Sequence, residues 1–203
     1  MKHALSTLAL LALTTLPGLA QEGAQEATPG GATLWQFDPG HSQIAFAYDH
    51  LGFSTTRGLF GGIEGQITLD EAAPENSAVE VSFPVRAMLT GWQDRFTDLM
   101  GPDFFDLPEG SDARITFAST SVESTGEKTA TVTGDLTLNG VTKPVVLEVE
   151  LNQQGENPVT GKPWIGFDAE TTLKRSDFGL GQFAPAVGDE VEIEISVEAG
   201  KAE

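Results

Sequence analysis

The segment EVEIEISVE, residues 190–198, gives the clearest indication of the fold class of this 203-residue chain. Its apolar residues, among them Val191, Ile193 and Ile195, take every second position, and glutamates take most of the positions between them. Successive side chains of a β-strand point to opposite faces, so this period of two predicts a strand with one buried and one solvated face. Because the same alternation recurs along most of the chain, it indicates an all-β protein.

Seven further segments alternate in the same way. The apolar faces that the alternation predicts are Ile44, Phe46 and Tyr48; Leu59, Ile63, Ile67 and Leu69; Val79, Val81, Phe83 and Val85; Ile115 and Phe117; Val132, Leu136 and Leu138; Val145, Leu147, Val149 and Leu151; and Ile165, Phe167, Ala169 and Leu173. Short, turn-rich connections predict antiparallel neighbours. Eight amphipathic strands around one core predict an up-and-down barrel, with a two-sheet sandwich as the alternative.

The N-terminus predicts export. A short basic start, MKH, precedes an apolar run, and Gly18 and Ala20 supply the small residues of a cleavage site. We therefore expect a signal peptide over residues 1–20, cleaved after Ala20, and a flexible leader over residues 21–32. The strand-forming domain then covers residues 33–200. No later segment is long and apolar enough to span a bilayer as a helix, so no stable membrane insertion is expected.

The composition excludes several kinds of support and partner. The chain has no cysteine, so its fold stands without disulfides. It carries 30 acidic residues against 11 basic ones, a formal net charge of −19. Such a surface repels nucleic acid and anionic lipid headgroups, so neither a nucleic-acid partner nor docking through a basic patch is expected.

One segment, GWQDRFTDLMGPDFFD at residues 91–106, breaks the alternation. Its residues Trp92, Phe96, Leu99 and Met100 are spaced to share one face of a short helix. A helix beside a barrel can bury such a face over an open end of the barrel or partly inside it. Two interpretations follow: the helix plugs the barrel as part of its core, or it covers the entrance of a ligand cavity.

Small residues on the inward faces favour a cavity over a solid interior. Gly61, Gly65, Ala87, Gly134 and Ala169 are expected to leave space that larger side chains would fill. An eight-stranded barrel has room for its own side chains or for one slender ligand. An apolar cavity in an exported protein predicts a lipid or another apolar small molecule as the ligand.

The sequence contains no recognisable catalytic constellation, and we predict that the protein is not an enzyme. His41 and Ser42 are adjacent, but neighbouring strand residues point to opposite faces and so diverge. A metal site would require His41 and His50 to converge with further ligands. Because no ligand spacing accompanies these histidines, no metal and no cofactor are expected.

Seven motifs follow one another along residues 35–199: DPGHSQIAF, GLFGGIEGQITLD, GPDFFD, ARITFAST, GDLTLNGVTKPVVLEVE, LKRSDFGLG and VGDEVEIEISVEA. Together they resemble the YceI family of bacterial periplasmic proteins, the polyisoprenoid-binding-like group. The resemblance implies a lipocalin-like barrel whose long apolar channel holds an isoprenoid chain with its polar head near the mouth. By position, it places the helix at the channel entrance, with Phe104 and Phe105 beside it.

The chain departs from the family at one motif. Where many members read Arg-Asp-x-His-Leu, this sequence has Arg95, Phe96, Thr97, Asp98 and Leu99. A head-group contact or metal site built on the family's histidine therefore does not carry over. The apolar channel is unaffected, and Phe96 is expected at its lip.

The sequence thus predicts an all-β, eight-stranded antiparallel lipocalin-like barrel with a short helical insertion at its mouth. As a periplasmic protein, it would sequester an isoprenoid or another long-chain, quinone-like lipid. The residues expected to contact the ligand are Phe46, Tyr48, Phe60, Trp92, Phe96, Leu99, Met100, Phe104, Phe105, Phe117, Phe167 and Phe178. The candidates for contact with a polar head are Arg95, Asp98 and Arg175. The alternative is a filled barrel that acts through a protein partner in stress response, and both hypotheses leave open a homodimer.

Overall fold

The computed structural model describes residues 31–203, so the predicted signal peptide and all but the last two residues of the predicted leader lie outside the described residues. Eleven strands and one α-helix form this part of the chain. The strands are β1 (Thr33–Phe37), β2 (Gln43–His50), β3 (Ser54–Phe60), β4 (Glu64–Leu69), β5 (Ala78–Pro84), β6 (Met88–Leu89), β7 (Arg114–Ser124), β8 (Thr129–Leu138), β9 (Val141–Glu156), β10 (Pro163–Lys174) and β11 (Glu190–Lys201). The helix, α1, is Gln93–Met100.

The strands form a closed barrel. The hydrogen-bonded order runs from β1 through β4, β5, β7, β8, β9 and β10 to β11, and β1 also pairs with β11. All of these pairings are antiparallel. This closure confirms the eight-stranded antiparallel barrel and excludes the two-sheet sandwich.

The first three long strands of the barrel each consist of two segments: β1 with β2, β3 with β4, and β5 with β6. β1 and β2 pair with successive parts of β11, and β3 and β4 pair with β2 and β1 in turn. β5 and β6 continue the barrel in the same manner, along β4 and β3. The eleven strand segments of the described chain therefore act as eight long strands, each connected to the next along the sequence.

The interruption between β3 and β4 changes which residues face inward. The alternation predicts Leu59 on the same face as Ile63, and this prediction is wrong. Phe60 is buried while Leu59 is exposed on the outer surface. Gly62 lies between the two strands with φ +64°, a left-handed conformation that glycine adopts without strain, and the register of inward residues shifts there.

The space beside two of the inward glycines is occupied by aromatic rings. A Cβ atom at Gly134 would lie 2.4 Å from the ring of Phe117, and one at Gly65 would lie 3.0 Å from the ring of Phe37. The prediction that these glycines leave open space is therefore wrong, since phenylalanines of neighbouring strands pack over them. Such pairs let the barrel wall curve while its interior stays packed. Ala169, by contrast, lines open space.

The end of the barrel away from α1 is solid on one side. Trp35, Ile165 and Ala199 are almost fully buried there, and they pack into the main apolar core. Their strands, β1, β10 and β11, are directly paired at this end. At this end, the paired parts of β1, β10 and β11 around these three residues therefore contribute packed core.

Candidate functional site

The barrel encloses a cavity of about 370 Å³. Its wall is formed by inward side chains of all eleven strands of the described chain, including Val191, Ile193, Ile195 and Val197 of β11. The alternation that makes each strand amphipathic thus also builds the wall. The volume lies at the lower end of the roughly 300–1,000 Å³ that is usual for small-molecule sites.

The cavity is long and narrow. On β8 alone its lining runs from Ala130 to Leu138, which is about 27 Å along the strand at about 3.4 Å per residue. One end reaches Leu99 and Phe104 beside α1, and the other end reaches Pro74 in the connection between β4 and β5. This shape fits an extended chain better than a compact ring system.

Only four side chains of the described cavity wall carry a polar group: Tyr48, Ser77, Thr171 and Arg175. Ser77 lies at the far end, next to the connection between β4 and β5. Tyr48 and Arg175 lie at strand ends near α1. The polar groups are therefore concentrated at one end, and the wall between the two ends is almost wholly apolar.

Four connections surround the end of the barrel that carries α1, which we call the mouth. They are residues 51–53 between β2 and β3, residues 90–113 around α1, and residues 175–189 between β10 and β11, and the short turn of residues 139–140 between β8 and β9 is the fourth. The Gly188 N–H donates to the carbonyl oxygen of Asp49 (2.9 Å), which ties the connection between β10 and β11 to the end of β2.

Arg86 fastens the α1 connection to the barrel. Its Nη2 donates to the carbonyl oxygens of Leu107 (2.9 Å) and Pro108 (2.6 Å). Its guanidinium also lies 6.0 Å from the centre of the Phe96 ring. Arg86 thus holds the segment that follows α1 and contacts the helix at Phe96. Leu99 and Met100 pack against the core from the same face of the helix.

Nine of the twelve residues predicted to contact a ligand line the cavity. These are Phe46, Tyr48, Phe60, Leu99, Phe104, Phe105, Phe117, Phe167 and Phe178. Phe96 and Met100 pack against the core instead of lining the cavity, and Trp92 is 57% exposed. Trp92 precedes the helix in an extended conformation, so it does not share the buried face of α1. The roles of all twelve in ligand contact stay predictions.

Arg175 is the candidate for head contact that lies on the cavity wall, and it is buried. Its guanidinium donates to the carbonyl oxygens of Gly188 (2.8 Å), Gln182 (2.9 Å), Val187 (2.8 Å) and Leu180. The side chain therefore organises the connection between β10 and β11 through backbone oxygens. Four of its five N–H groups are used in this way, which leaves one N–H group.

The neighbouring carboxylate of Asp189 supports the same connection from outside. It accepts hydrogen bonds from the hydroxyl (2.7 Å) and the backbone N–H (2.9 Å) of Ser176. These bonds, chiefly the one from the hydroxyl, lower the pKa of Asp189 below its ordinary value, and the charge of Arg175 adds to the effect. Asp189 is thus kept ionised close to the buried guanidinium.

The other two candidates for head contact, Arg95 and Asp98, lie on α1 away from the cavity wall. Arg95 donates to the carbonyl oxygen of Thr90 (2.9 Å), and its guanidinium lies 5.8 Å from the centre of the Trp92 ring. Asp98 is exposed. Thr171, on the cavity wall, was missed by the sequence analysis because its methyl and hydroxyl groups fit either face of a strand.

The two histidines lie at opposite ends of β2 and do not converge. His41 precedes the strand and pairs with Asp38 (Nδ1 to Oδ2, 2.7 Å), while His50 ends the strand and bridges to Val187. Among residues 31–203, no group of three or more histidine, cysteine, aspartate or glutamate residues is placed to hold a metal ion.

We expect His41 to titrate above its ordinary pKa of 6.5. The hydrogen bond to Asp38 raises the pKa, and the charges of Asp38 and Glu198 add to it. Because the folded-state pKa is raised, this histidine contributes stability below about pH 6.5 that is lost as the pH rises through its folded-state pKa. The measurement is an NMR titration of the imidazole, and Asp38→Asn should return the pKa toward 6.5. An identical pKa in the variant would contradict this reading of the pair.

No helix within residues 31–203 is both long and apolar enough to cross a bilayer.

Comparison with known proteins places this architecture among characterised folds. A family model described as a YceI-like domain matches residues 35–199. A UPF0312 protein of Pseudomonas putida (strain W619) is 39% identical over 161 residues, which cover 79% of this chain and 82% of the relative. The curated relatives thus share most of their length with this chain.

Two solved structures share the fold. The YCEI protein of Campylobacter jejuni superposes with a TM-score of 0.67 and 29% identity, over 76% of this chain and 90% of that one. A polyisoprenoid binding domain from Saccharophagus degradans superposes with a TM-score of 0.62 and 12% identity, over 83% of this chain and 98% of that one. The second likeness is one of fold alone.

Proposed function

The chain belongs to the YceI family, and from that premise we propose that it is a periplasmic carrier that sequesters a long-chain isoprenoid or a similar amphipathic lipid. The observation that carries the proposal is the elongated apolar cavity along the barrel. The name of one structural neighbour, a polyisoprenoid binding domain, supports the same class of ligand. The predicted signal peptide over residues 1–20 supports the periplasmic location.

Burial of the ligand tail supplies the affinity in this proposal. Each CH₂ group that moves from water into the cavity contributes about 0.8 kcal/mol before the costs of association. The wall offers such a tail almost no polar partner, so recognition there depends on length and width rather than on chemistry. Quinone-like and fatty-acyl chains satisfy the same requirement.

The orientation of the ligand follows from the uneven placement of polar groups. The mouth offers the hydroxyl of Tyr48 and the remaining N–H of Arg175, and the hydroxyl of Thr171 lies deeper on β10. A head group with hydrogen-bond acceptors fits there, and the tail extends toward Pro74. A buried guanidinium favours a head with a partial or full negative charge.

The filled-barrel hypothesis has less support. It requires an interior that its own side chains occupy, whereas the described residues surround a cavity of about 370 Å³. An action through a protein partner does not call for such a space. We therefore propose the carrier and no catalytic step.

A series of prenyl alcohols of increasing chain length tests the carrier directly. We expect the dissociation constant to fall at least tenfold for each added isoprene unit, because each unit buries several carbon atoms. The fall should end once the chain reaches the connection between β4 and β5. Competition with a fluorescent lipid measures the constants. A dissociation constant that does not depend on chain length would count against a channel for the tail.

A further inference from the structure

Four large apolar side chains stand at the edge of the mouth: Leu51, Phe53, Phe104 and Phe183. We call this set the apolar rim. Phe53 is 90% exposed, Phe183 54% and Leu51 47%, while Phe104 is half-buried. Single exposed apolar residues are ordinary on a protein surface, but a contiguous group beside a cavity marks an interaction site.

Contacts bring together the three connections that carry the rim, and two of its elements continue into the cavity wall. The Leu51 N–H donates to the carbonyl oxygen of Ala186 (3.2 Å), and the Val187 N–H donates to that of Phe183 (2.9 Å). The rings of Phe104 and Phe183 are 6.2 Å apart between centroids. Since Phe104 and Val187 both line the cavity, the rim is the outward edge of the cavity wall.

The backbone holds two rim residues in an unfavourable conformation. Leu51 has φ +61° and Phe183 has φ +64°, in the left-handed region that bulky residues rarely adopt. Such conformations persist where the surrounding structure fixes them, and they occur most often at functional sites. Here the strained backbone exposes apolar side chains to solvent, and these side chains add no buried apolar contact to the core.

The charges of the mouth restrict what can cover the rim. The connections of the mouth, residues 51–53, 90–113, 139–140 and 175–189, contain eight aspartates and glutamates and two arginines, Arg95 and the buried Arg175. An anionic bilayer is therefore repelled. A second copy of the chain would bring the same charges together, and four side chains fall far short of the roughly 20–30 residues a side of a stable interface.

A bilayer of zwitterionic lipid fits these features. Its outermost charges are the ammonium groups of the lipid heads, which the acidic residues of the mouth can face. Its apolar region lies just beneath, within reach of exposed phenylalanine and leucine side chains. Aromatic rings are favoured at this boundary.

We propose that the apolar rim docks the barrel mouth on a zwitterionic phospholipid bilayer, so that the ligand passes between membrane and cavity without crossing water. The inference rests on the proposed function, because docking explains how a carrier reaches a ligand that resides in a membrane. It adds the surface through which the exchange occurs.

The test is flotation of the protein, from residue 21 onward, with phosphatidylcholine vesicles. We expect Phe53→Ser and Phe183→Asn to lower the vesicle-bound fraction at least fivefold. Asparagine tolerates the left-handed backbone at position 183, so that variant should keep its stability. Val159→Ser is the matched control, because Val159 is 91% exposed and lies between β9 and β10, at the end opposite to the mouth. The control should bind vesicles like the unmodified protein.

Several results would overturn the docking proposal. The first two are vesicle binding by the rim variants that equals binding by the unmodified protein, and a loss of binding in the Val159→Ser control that equals the loss in the rim variants. The other two are tighter binding to vesicles that contain phosphatidylglycerol than to phosphatidylcholine vesicles, and a dimer of the unmodified protein that the rim substitutions abolish. Loading of the protein with prenyl alcohol added from ethanol, without vesicles, distinguishes a failure of membrane docking from a failure of the carrier function. Normal loading with no vesicle binding contradicts the docking alone, whereas failure of loading contradicts the proposed function.

Discussion

Ala169→Phe is expected to weaken the binding of a long prenyl chain by about two hundredfold. Ala169 lies on the cavity wall in the middle of β10, and its register partners Ile195 and Val149 line the cavity too. A phenyl ring there would project into the channel and block the part beyond it. If about four CH₂ groups of the tail lose their burial, the loss is about 3 kcal/mol.

The ring enters open space, so we expect little change in the free energy of unfolding. Ala118→Phe is the matched control, because Ala118 faces solvent on β7 between Glu80 and Asp135 of the neighbouring strands. Titration with a long and a short prenyl alcohol measures the effect. The account requires the long ligand to lose more affinity than the short one, and an equal loss in the Ala118 variant would contradict it.

Arg175→Met is expected to lower the free energy of unfolding by about 3 kcal/mol. The substitution removes the donors for the carbonyl oxygens of Gly188, Gln182, Val187 and Leu180. Through these oxygens the guanidinium holds the connection between β10 and β11 in its conformation at the mouth. Buried acceptors that lose their hydrogen-bond donor lower the free energy of unfolding. Urea denaturation measures the change.

Two further variants define what the loss means. Arg175→Lys keeps the charge but not the planar set of donors, so an intermediate loss is expected. Arg114→Met removes a partly exposed pair with Glu64 (2.6 Å), for which about 1 kcal/mol or less is expected. If Arg175→Met were no more destabilising than Arg114→Met, the guanidinium would not organise the mouth as described.

The sequence predicted the barrel because alternation is a local signal that each strand carries by itself. Val191, Ile193 and Ile195 line the cavity as their spacing predicts. The alternation predicts the wrong inward residue at Leu59. Gly62, in a left-handed conformation, shifts the alternation so that Phe60 faces inward instead. Period alone does not reveal where a strand is interrupted.

Features that depend on contacts between distant segments could not be predicted. The ring contact of Phe104 with Phe183 joins two connections that are far apart in the chain, so the apolar rim has no signature in either segment. The packing of the Phe117 ring over Gly134 depends on the register between β7 and β8. The spacing of Trp92 predicts that it shares the buried face of α1, but the helix begins one residue later.

Native mass spectrometry of the protein purified from its own cells, followed by solvent extraction, tests the carrier function without a choice of ligand. We expect a bound species that solvent extraction releases as a long-chain prenyl or similar amphipathic lipid. A bare protein mass that persists after incubation with polyprenyl lipids and quinones would contradict the carrier function and favour the protein-partner hypothesis.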